Sequence, residues 1–532
     1  MRIPCRHALS CLLALTVLAL RPGCGAEAGE KAKEAVRALS PGNTAYYVDS
    51  NHGSDTNPGR SPKKAWKSIG RANETIYQPG DRLLFAGGQT FKGTLNFQKA
   101  DHGTPEKPVV VGSYGDCRAV IDGGTGGGFM LTESQYVRIE GINFTGCGRK
   151  NGSEQAGVTL RQTEHVELDK MEISGFRIAG VAAYGDRNTR MTHLHVHDNG
   201  YAGITLNSDY EKGPRTANFY IGYCVAENNP GDPTIKDNHS GNGIVVGGFD
   251  GGVIEYCEAM NNGWDMPRTG NGPVGIWGFC CDNLVIQHCI SHDNKSPGLD
   301  GGGFDFDGGV TNSIMQYNLS YNNVGCGYLF CQYKSSAWKN NILRYNISIN
   351  DGSKNFNAGI GLWLGEGDMS GAQIYNNTIV NPAHAVNTGG DVPGMVYRNN
   401  IFVVGGDVLA GDFTHSRFEN NIYWNIGKCV ICRNGKTVFA SLEDWAHATK
   451  QESDGDRLLG RIADPMFLLP GKDWKAPTDP MQLPQMRFFR LQKHSPCGAA
   501  GQFIPDNGGR DFFGRRLPEC GPPSIGACET VK

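Results

Sequence analysis

The sequence predicts an all-β solenoid, and three observations carry that prediction. Short Val/Ile-rich runs recur at a near-constant spacing, Gly and Asn punctuate them, and one position of the repeat carries the same side chain turn after turn. Aligned on the second strand of each unit, the register reads Ile142, Met171, His195, Cys224, Cys257, Cys289, Asn318, Asn346, Asn377, Asn400 and Asn421. Neighbours lie 21 to 33 residues apart, and a period of roughly 20 to 50 residues marks a stacked repeat. Runs this short, β-branched and bounded by Gly and Asn are strands rather than helices. About ten or eleven turns follow, each burying its apolar face only against its neighbours. The five Asn are expected to stack as a ladder, each amide bonding the next. The three Cys form an ordinary small apolar column, and the register also places His195 inside.

The stretch 300–333 shows one full turn. Strand residues alternate between faces, so if Phe304 and Phe306 enter the core, Asp305 and Asp307 both point out. Their roughly 6.5–7 Å separation at the usual rise suits an acid and a base with a water between them, nearer the inverting arrangement than the retaining one. These two are the leading catalytic candidates. A calcium ion on the same hard oxygens, or two solvated acids with no role, are the alternatives. Asp300 is a further candidate partner if its loop folds over.

The Gly-led strands beginning at Gly157, Gly180, Gly203, Gly243, Gly275, Gly303, Gly327 and Gly359 align in the same way. Their outward pairs are Thr205 and Asn207, Trp277 and Phe279, Asp305 and Asp307, then Gly361 and Trp363, with Tyr333 just past its strand. Trp277, Phe279, Tyr333 and Trp363 are therefore expected as a substrate-binding platform for the apolar faces of sugars. Insertions at 209–216, 230–242 and 263–273 are expected to wall it. Glu366 and Asp368 follow Trp363 and offer a second acid. Lys334 and Lys339 follow the next strand, and Lys334 is the catalytic candidate if the chemistry is β-elimination, which needs a base and cations beside a uronate. His193, His195 and His197 alternate and suggest a metal cluster. Because the register puts His195 inside, a stacked structural imidazole is expected and no metal ligand is assigned. His288 and His292 read as turn-side residues.

The ends differ from the repeat. Arg2 and Arg6, an apolar run at 9–20 and small residues at 24–26 make 1–26 an export signal, with lipidation of Cys24 as the alternative. Residues 27–43 are polar and expected to be disordered. The remaining layout is a cap at 44–104, the solenoid at 105–425 and a C-terminal capping segment at 426–532, with a short helix near 442–449. No later run is long enough to span a bilayer. Of 17 Cys, Cys429 and Cys432 form a lone Cys-x-x-Cys, weak evidence for zinc. Cys497, Cys520 and Cys528 allow a tail disulfide in an oxidising compartment. A net charge of −3 points to no anionic partner, and neither a phosphate loop, a nucleophile elbow nor a basic stripe for nucleic acid is present.

The opening YYVDSNHGSDTNPG at 46–59, AWKSI at 65–69, PGDRLLF at 79–85, VVVGSYG at 109–115 and VIDG at 120–123 resemble the N-terminal cap and first turns of secreted bacterial right-handed parallel β-helix proteins, the pectate-lyase-like superfamily. SPCGA at 495–499, DNGGRDFFGRR at 506–516 and SIGACE at 524–529 resemble their closing segment. The resemblance implies a right-handed parallel β-helix; with the export signal, the expectation is a secreted, periplasmic or cell-surface monomer acting on a polysaccharide or oligosaccharide. That superfamily holds hydrolases, lyases, epimerases and non-catalytic surface proteins. Paired Asp on a central strand resembles the hydrolases, although the Gly-His-Gly and Arg-Ile-Lys segments of polygalacturonases are missing. A glycoside hydrolase using Asp305 and Asp307 is the first expectation. A calcium- and Lys334-based lyase and a glycan-binding surface protein are the alternatives; no cofactor beyond that calcium is expected.

Overall fold

The structure, a computed structural model, describes residues 37–208, 216–333, 336–426, 430–469 and 474–530. The expected export signal with Cys24, most of the polar stretch after it, residues 209–215 of the 209–216 insertion, Lys334 and Cys429 lie outside the described residues.

The chain winds as a right-handed parallel β-helix with three walls. One wall is a 14-stranded sheet running from Leu95–Phe97 to Thr437–Phe439, parallel except for its final hairpin. The other two form a 27-stranded assembly, because the chain passes between them through a single residue of positive φ. Tyr256 (φ 51°), His288 (φ 52°), Tyr317 (φ 58°) and Tyr345 (φ 50°) occupy that corner in successive turns. The left-handed region is costly for residues with a Cβ. Here it is offset by ring stacking along the corner, with centroids 5.0 Å apart for Tyr256–His288 and His288–Tyr317 and 6.0 Å for Tyr317–Tyr345. The parallel ladder takes in Ala45–Val48, which pairs with Arg82–Ala86.

The residue after each corner points inward. Asn318, Asn346, Asn377, Asn400 and Asn421 are fully buried there. Each Nδ2 donates to the next Oδ1, at 3.1, 3.1, 3.0 and 2.9 Å down the stack. Each of these Oδ1 atoms also accepts the backbone N–H of the preceding turn, as Asn346 does from Asn318 at 2.9 Å. The ladder ends on Glu452, whose Oε1 accepts from Asn421 Nδ2 at 2.6 Å and the Tyr423 hydroxyl at 2.8 Å. A second ladder, Asn199, Asn229, Asn262, Asn294 and Asn323, ends on Asp351 at the next corner. The Cys column stands where expected, with Cys224, Cys257 and Cys289 buried and the Cys257 amide facing the Cys289 sulfur at 3.5 Å.

One position of the register is corrected. Met171 pairs with Leu194, not His195. His193 is the positive-φ corner (φ 52°), so Leu194 turns inward and His195 outward. A one-residue slip exchanges the faces of a strand, and an apolar side chain takes the dry position.

The ends are plugged. Near the N-terminus the helix Ile69–Asn73 buries Ile69 beside Trp66 and Tyr77. Beyond the last turns the helix Leu442–Thr449, capped by Ser441, sets Trp445 against Phe418 with ring centroids 5.2 Å apart. The C-terminal segment returns along the outside of the helix. Asn376 Nδ2 donates to the carbonyls of Ser524 and Gly526, and Asn399 Nδ2 to that of Gln502. A second apolar core forms between this segment and the outer faces of Ile290, Leu319, Ile347, Ile401 and Ile422. The expected tail disulfide is corrected: Cys497, Cys520 and Cys528 are free, with Cys497 and Cys528 buried in this second apolar core. Among the described residues no helix is long and apolar enough to cross a membrane.

Candidate active face

The outer face of the 14-stranded sheet holds the acids. Phe304 and Phe306 are fully buried in the core, so Asp305 and Asp307 project from the other side of Phe304–Phe306. Parallel pairing sets Asp305 between Trp277 on one neighbouring strand and Leu329 on the other. Asp307 continues the column of Phe279, Cys331 and Trp363.

Asp305 is 3% exposed, and its Oδ1 has no hydrogen-bond partner among the described residues. Burial, then the neighbouring charges of Asp307 and Asp300, push its pKa well above the carboxylate range. Asp307 is half-buried; burial raises it to about 7, against opposing hydrogen bonds from the Gly308 amide and the Cys331 thiol, and Asp300 raises it further. Asp300, at the end of the 296–302 loop, is raised to about 6 by burial. Its Oδ2 accepts the Gly272 amide at 2.8 Å, and Arg268 offsets part of the rise. Lys354 holds that loop by donating to the Ser296, Pro297 and Gly298 carbonyls. Three carboxyl groups thus interact electrostatically, and all three are held above the usual carboxylate range.

The expected open platform is corrected in one half. Trp277 and Phe279 are 4% and 5% exposed and pack with Val245, Val274, Ala182 and Ala202 in an apolar cluster outside the helix. The 230–242 insertion packs on Trp277. His239 sits edge-on to Trp277 at 5.1 Å. Asn242 joins the two, accepting from Trp277 Nε1 at 3.1 Å and donating to His239 Nδ1 at 3.0 Å. Burial and Arg268 lower His239 to about 4, so it is neutral at pH 7. The 230–242 insertion thus meets Trp277 through His239 and Asn242, and the 263–273 insertion meets Asp300 through the Gly272 amide.

The other half is open. Trp363 is 41% exposed and folds over Gly365, where a Cβ would meet the ring at 2.2 Å. Tyr333 is half-buried and lies across Gly308, beside Asp307, where a Cβ would stand 2.9 Å from the ring. Glu366 and Asp368 are exposed in the turn after Trp363, and among the described residues no hydrogen bond or ion pair ties either carboxylate to the acids. Lys339 is exposed and pairs its strand with Met369–Ser370.

The model of the right-handed β-helix region matches residues 114–232 and 231–402. The chain belongs to the right-handed β-helix family. It is pectate-lyase-like in architecture, as the resemblance of its two ends implied. Among curated proteins this β-helix is 23% identical over 517 aligned positions to a lacto-N-biosidase of Bifidobacterium longum subsp. longum, covering 75% of this chain and 31% of that protein. It is 33% identical over 75 residues to alpha-1,3-galactosidase A of Akkermansia muciniphila, covering 14% of this chain and 12% of that one. The matches therefore span less than a third of either relative's length. Among solved structures, a GH136 lacto-N-biosidase from Eubacterium ramulus superposes with a TM-score of 0.50 at 19% identity over 64% of each chain. Pectate lyase Pel9A gives 0.42 at 17% identity, covering 92% of this chain and 97% of that one.

His239, Asn242 and Arg268 were not singled out in the sequence. They lie on insertions, where no repeat fixes a side chain's direction. The legible signal was the lengthening of the period to 33 and 32 residues before Cys257 and Cys289, which marks the turns that carry added walls.

Proposed function

We propose that this β-helix is an exported glycoside hydrolase that cleaves an oligosaccharide or polysaccharide at Asp300, Asp305 and Asp307. The observation that carries the reading is the Asp305 carboxyl, buried on the outer face with an oxygen that bonds to nothing described. A buried polar atom without a partner is costly, and a carboxyl kept protonated near neutral pH is a proton donor. Asp305 gives its proton to the glycosidic oxygen as the bond to the anomeric carbon breaks. Asp307, ionised above about 7, acts on the anomeric side as base for water or as nucleophile, and Asp300 holds both pKa values up. Trp363 and Tyr333 supply the exposed aromatic surface for sugar rings beyond Asp307, in place of Trp277 and Phe279. The lacto-N-biosidase match over three quarters of the chain supports glycan hydrolysis over elimination. Fold alone does not choose the chemistry.

The test is a glycan panel that includes substrates of lacto-N-biosidases and α-1,3-galactosidases beside uronate polymers, read for reducing ends and for ultraviolet-absorbing unsaturated products. Hydrolysis predicts new reducing ends without unsaturation, abolished in Asp305→Asn. Unsaturated products would instead assign the lyase chemistry, and loss of activity on EDTA treatment would bring in the calcium. No turnover on any glycan leaves the glycan-binding protein as the reading.

A further inference from the structure

The outer face of the wall that follows the inward Asn column divides into two halves. From Ile290 onward the C-terminal segment covers it. Before that, the strands Glu167–Ser174, Thr189–His197 and Val225–Glu227 present polar side chains to solvent. Their parallel register sets Glu172 beside His195 and His197 beside Glu227. Leu194 takes the inward position after the His193 corner, which turns both His195 and His197 to the same outer face.

We propose that Glu172, His195, His197 and Glu227 form a binding site for a zinc-like divalent cation that ties three successive turns together. The ligand atoms of Glu172, His195 and His197 lie within 4.8 Å of one another. His195 Nε2 is 2.7 Å from Glu227 Oε1, and His197 Nε2 is 3.3 Å from Glu172 Oε1. The two imidazole centroids are 4.6 Å apart. Tetrahedral zinc needs donor atoms roughly 3.3 Å apart, given Zn–N distances near 2.0–2.1 Å. Side-chain rotation is needed to bring Glu172, His195 and His197 to that spacing, and these three and Glu227, which contacts His195, are all at least partly exposed. His197 Nδ1 is 2.6 Å from Asp198 Oδ2, which fixes the ring and its tautomer so that Nε2 faces the site; metal-binding histidines are held by carboxylates in this way. Two imidazoles with carboxylates select borderline metals over calcium, which takes oxygen ligands.

The same β-helix contains its own control. Three turns on, His292 repeats the arrangement of His197, with Nε2 3.1 Å from Glu258 and Nδ1 2.7 Å from Asp293. There the register position of His195 is filled by Ile290, and Tyr321 stacks on the ring at 4.3 Å. One covered imidazole makes an ion pair; two open ones with two carboxylates make a chelate. The site lies on a different sheet from Asp305 and takes no part in the proposed hydrolysis.

The experiment is calorimetric titration of the untagged, chelator-treated chain with ZnCl2, paired with melting curves in ZnCl2 and in CaCl2. One saturable equivalent of zinc per chain is expected, with a rise in Tm that calcium at the same concentration does not reproduce. His195→Gln and His197→Gln should each weaken that equivalent by at least tenfold, and His292→Gln should leave it intact. Should the histidine variants fold poorly, Glu172→Gln, at an exposed position, gives the same comparison. Absence of a one-equivalent binding event in the wild-type chain, or one that survives His195→Gln and Glu172→Gln, overturns the proposal.

Discussion

Asp351 and Asp305 are both buried aspartates in this β-helix, 1% and 3% exposed, and they are treated in opposite ways. Asp351 closes an amide ladder. Its Oδ1 accepts the backbone and side-chain N–H groups of Asn323 at 3.0 and 2.8 Å, and its Oδ2 accepts the Ser348 hydroxyl at 2.6 Å. Asp305 sits on the outer wall with an Oδ1 that bonds to nothing described. Burial raises both pKa values, Asp351 to about 6 and Asp305 further, because hydrogen bonds oppose the rise at Asp351 and like charges add to it at Asp305. Buried polar groups that are fully bonded specify and stiffen a core. In the proposed hydrolysis, the carboxyl whose Oδ1 has no partner among the described residues is the one that gives its proton to the glycan.

The sharpest way to break this contrast is to make the same substitution at both places. Asp305→Asn should lower kcat by roughly 10²–10⁴, the usual worth of a positioned proton donor, with little change in KM. Asp307→Asn should do the same. Asp351→Asn should leave kcat near wild type, since an amide oxygen still accepts from Asn323. Equal kcat in all three variants would sink the assignment of Asp305.

The ladders allow the reverse test. Asn346→Leu removes the acceptor of both Asn318 N–H groups and the donor to Asn377 Oδ1. It should cost about 2–4 kcal/mol, since the buried groups left unpaired each carry a desolvation penalty of about 1–3 kcal/mol. Urea unfolding measures it as a lower midpoint, while kcat of the folded fraction stays unchanged. A midpoint equal to wild type would mean that the ladder is ornamental.

These two regions were unequally legible in the sequence. The ladder from Asn318 to Asn421 could be read because an interior column repeats one residue type at one period. The second ladder was equally visible in hindsight, since doublets such as Asn261-Asn262 and Asn322-Asn323 pair a positive-φ corner residue with an inward amide. The register from Asn318 to Asn421 follows one corner of the turn, and the second ladder follows another. His195 was misplaced because a histidine and a leucine adjoin at the bend, and only the corner geometry decides which turns inward. Alternation correctly sent Asp305, Asp307, Trp277 and Phe279 to the outer face. It could not tell that the 230–242 insertion lies over Trp277 or that Phe279 is buried, because outward from a strand and open to water are different properties wherever an insertion folds back. Glu366 was proposed from nearness in sequence to Trp363, and the turn carries it into solvent.

The exposed aromatic offers a smaller test of the same outer wall. Trp363→Ala should raise KM about five- to tenfold, the scale of one aromatic contact of about 1 kcal/mol, with kcat nearly unchanged. Phe279→Ala should instead lower the melting temperature, because that ring is packed beneath the wall. If Phe279→Ala raised KM as Trp363→Ala does while leaving stability intact, the insertion would have to lift from the aromatics when substrate binds.

The finest distinction concerns the charge of Asp300. It is ionised above about 6, and its charge helps to raise both Asp307 and Asp305. In Asp300→Asn that charge is gone, so Asp307 ionises at lower pH and Asp305 loses its proton at lower pH. The acidic limb of kcat/KM, set by Asp307 near 7, should move down, and the basic limb, set by Asp305, should follow. Each shift should be smaller than about one pH unit, as expected for one partly solvated neighbouring charge. Stability should respond with a definite sign. A carboxyl whose folded pKa is raised from 3.8 to about 6 favours the folded state below its unfolded pKa and loses that contribution as pH rises through the folded value. Wild type should therefore lose stability between about pH 4 and pH 6 on account of Asp300, and Asp300→Asn should lack that share of the loss, so that the difference between the two changes across this interval and is level above it. Asn can still accept the Gly272 amide that Asp300 accepts, which keeps the loop in place and isolates the charge. A pH profile that is identical in the two proteins would remove Asp300 from the proposed group and leave Asp305 and Asp307 to act as a pair.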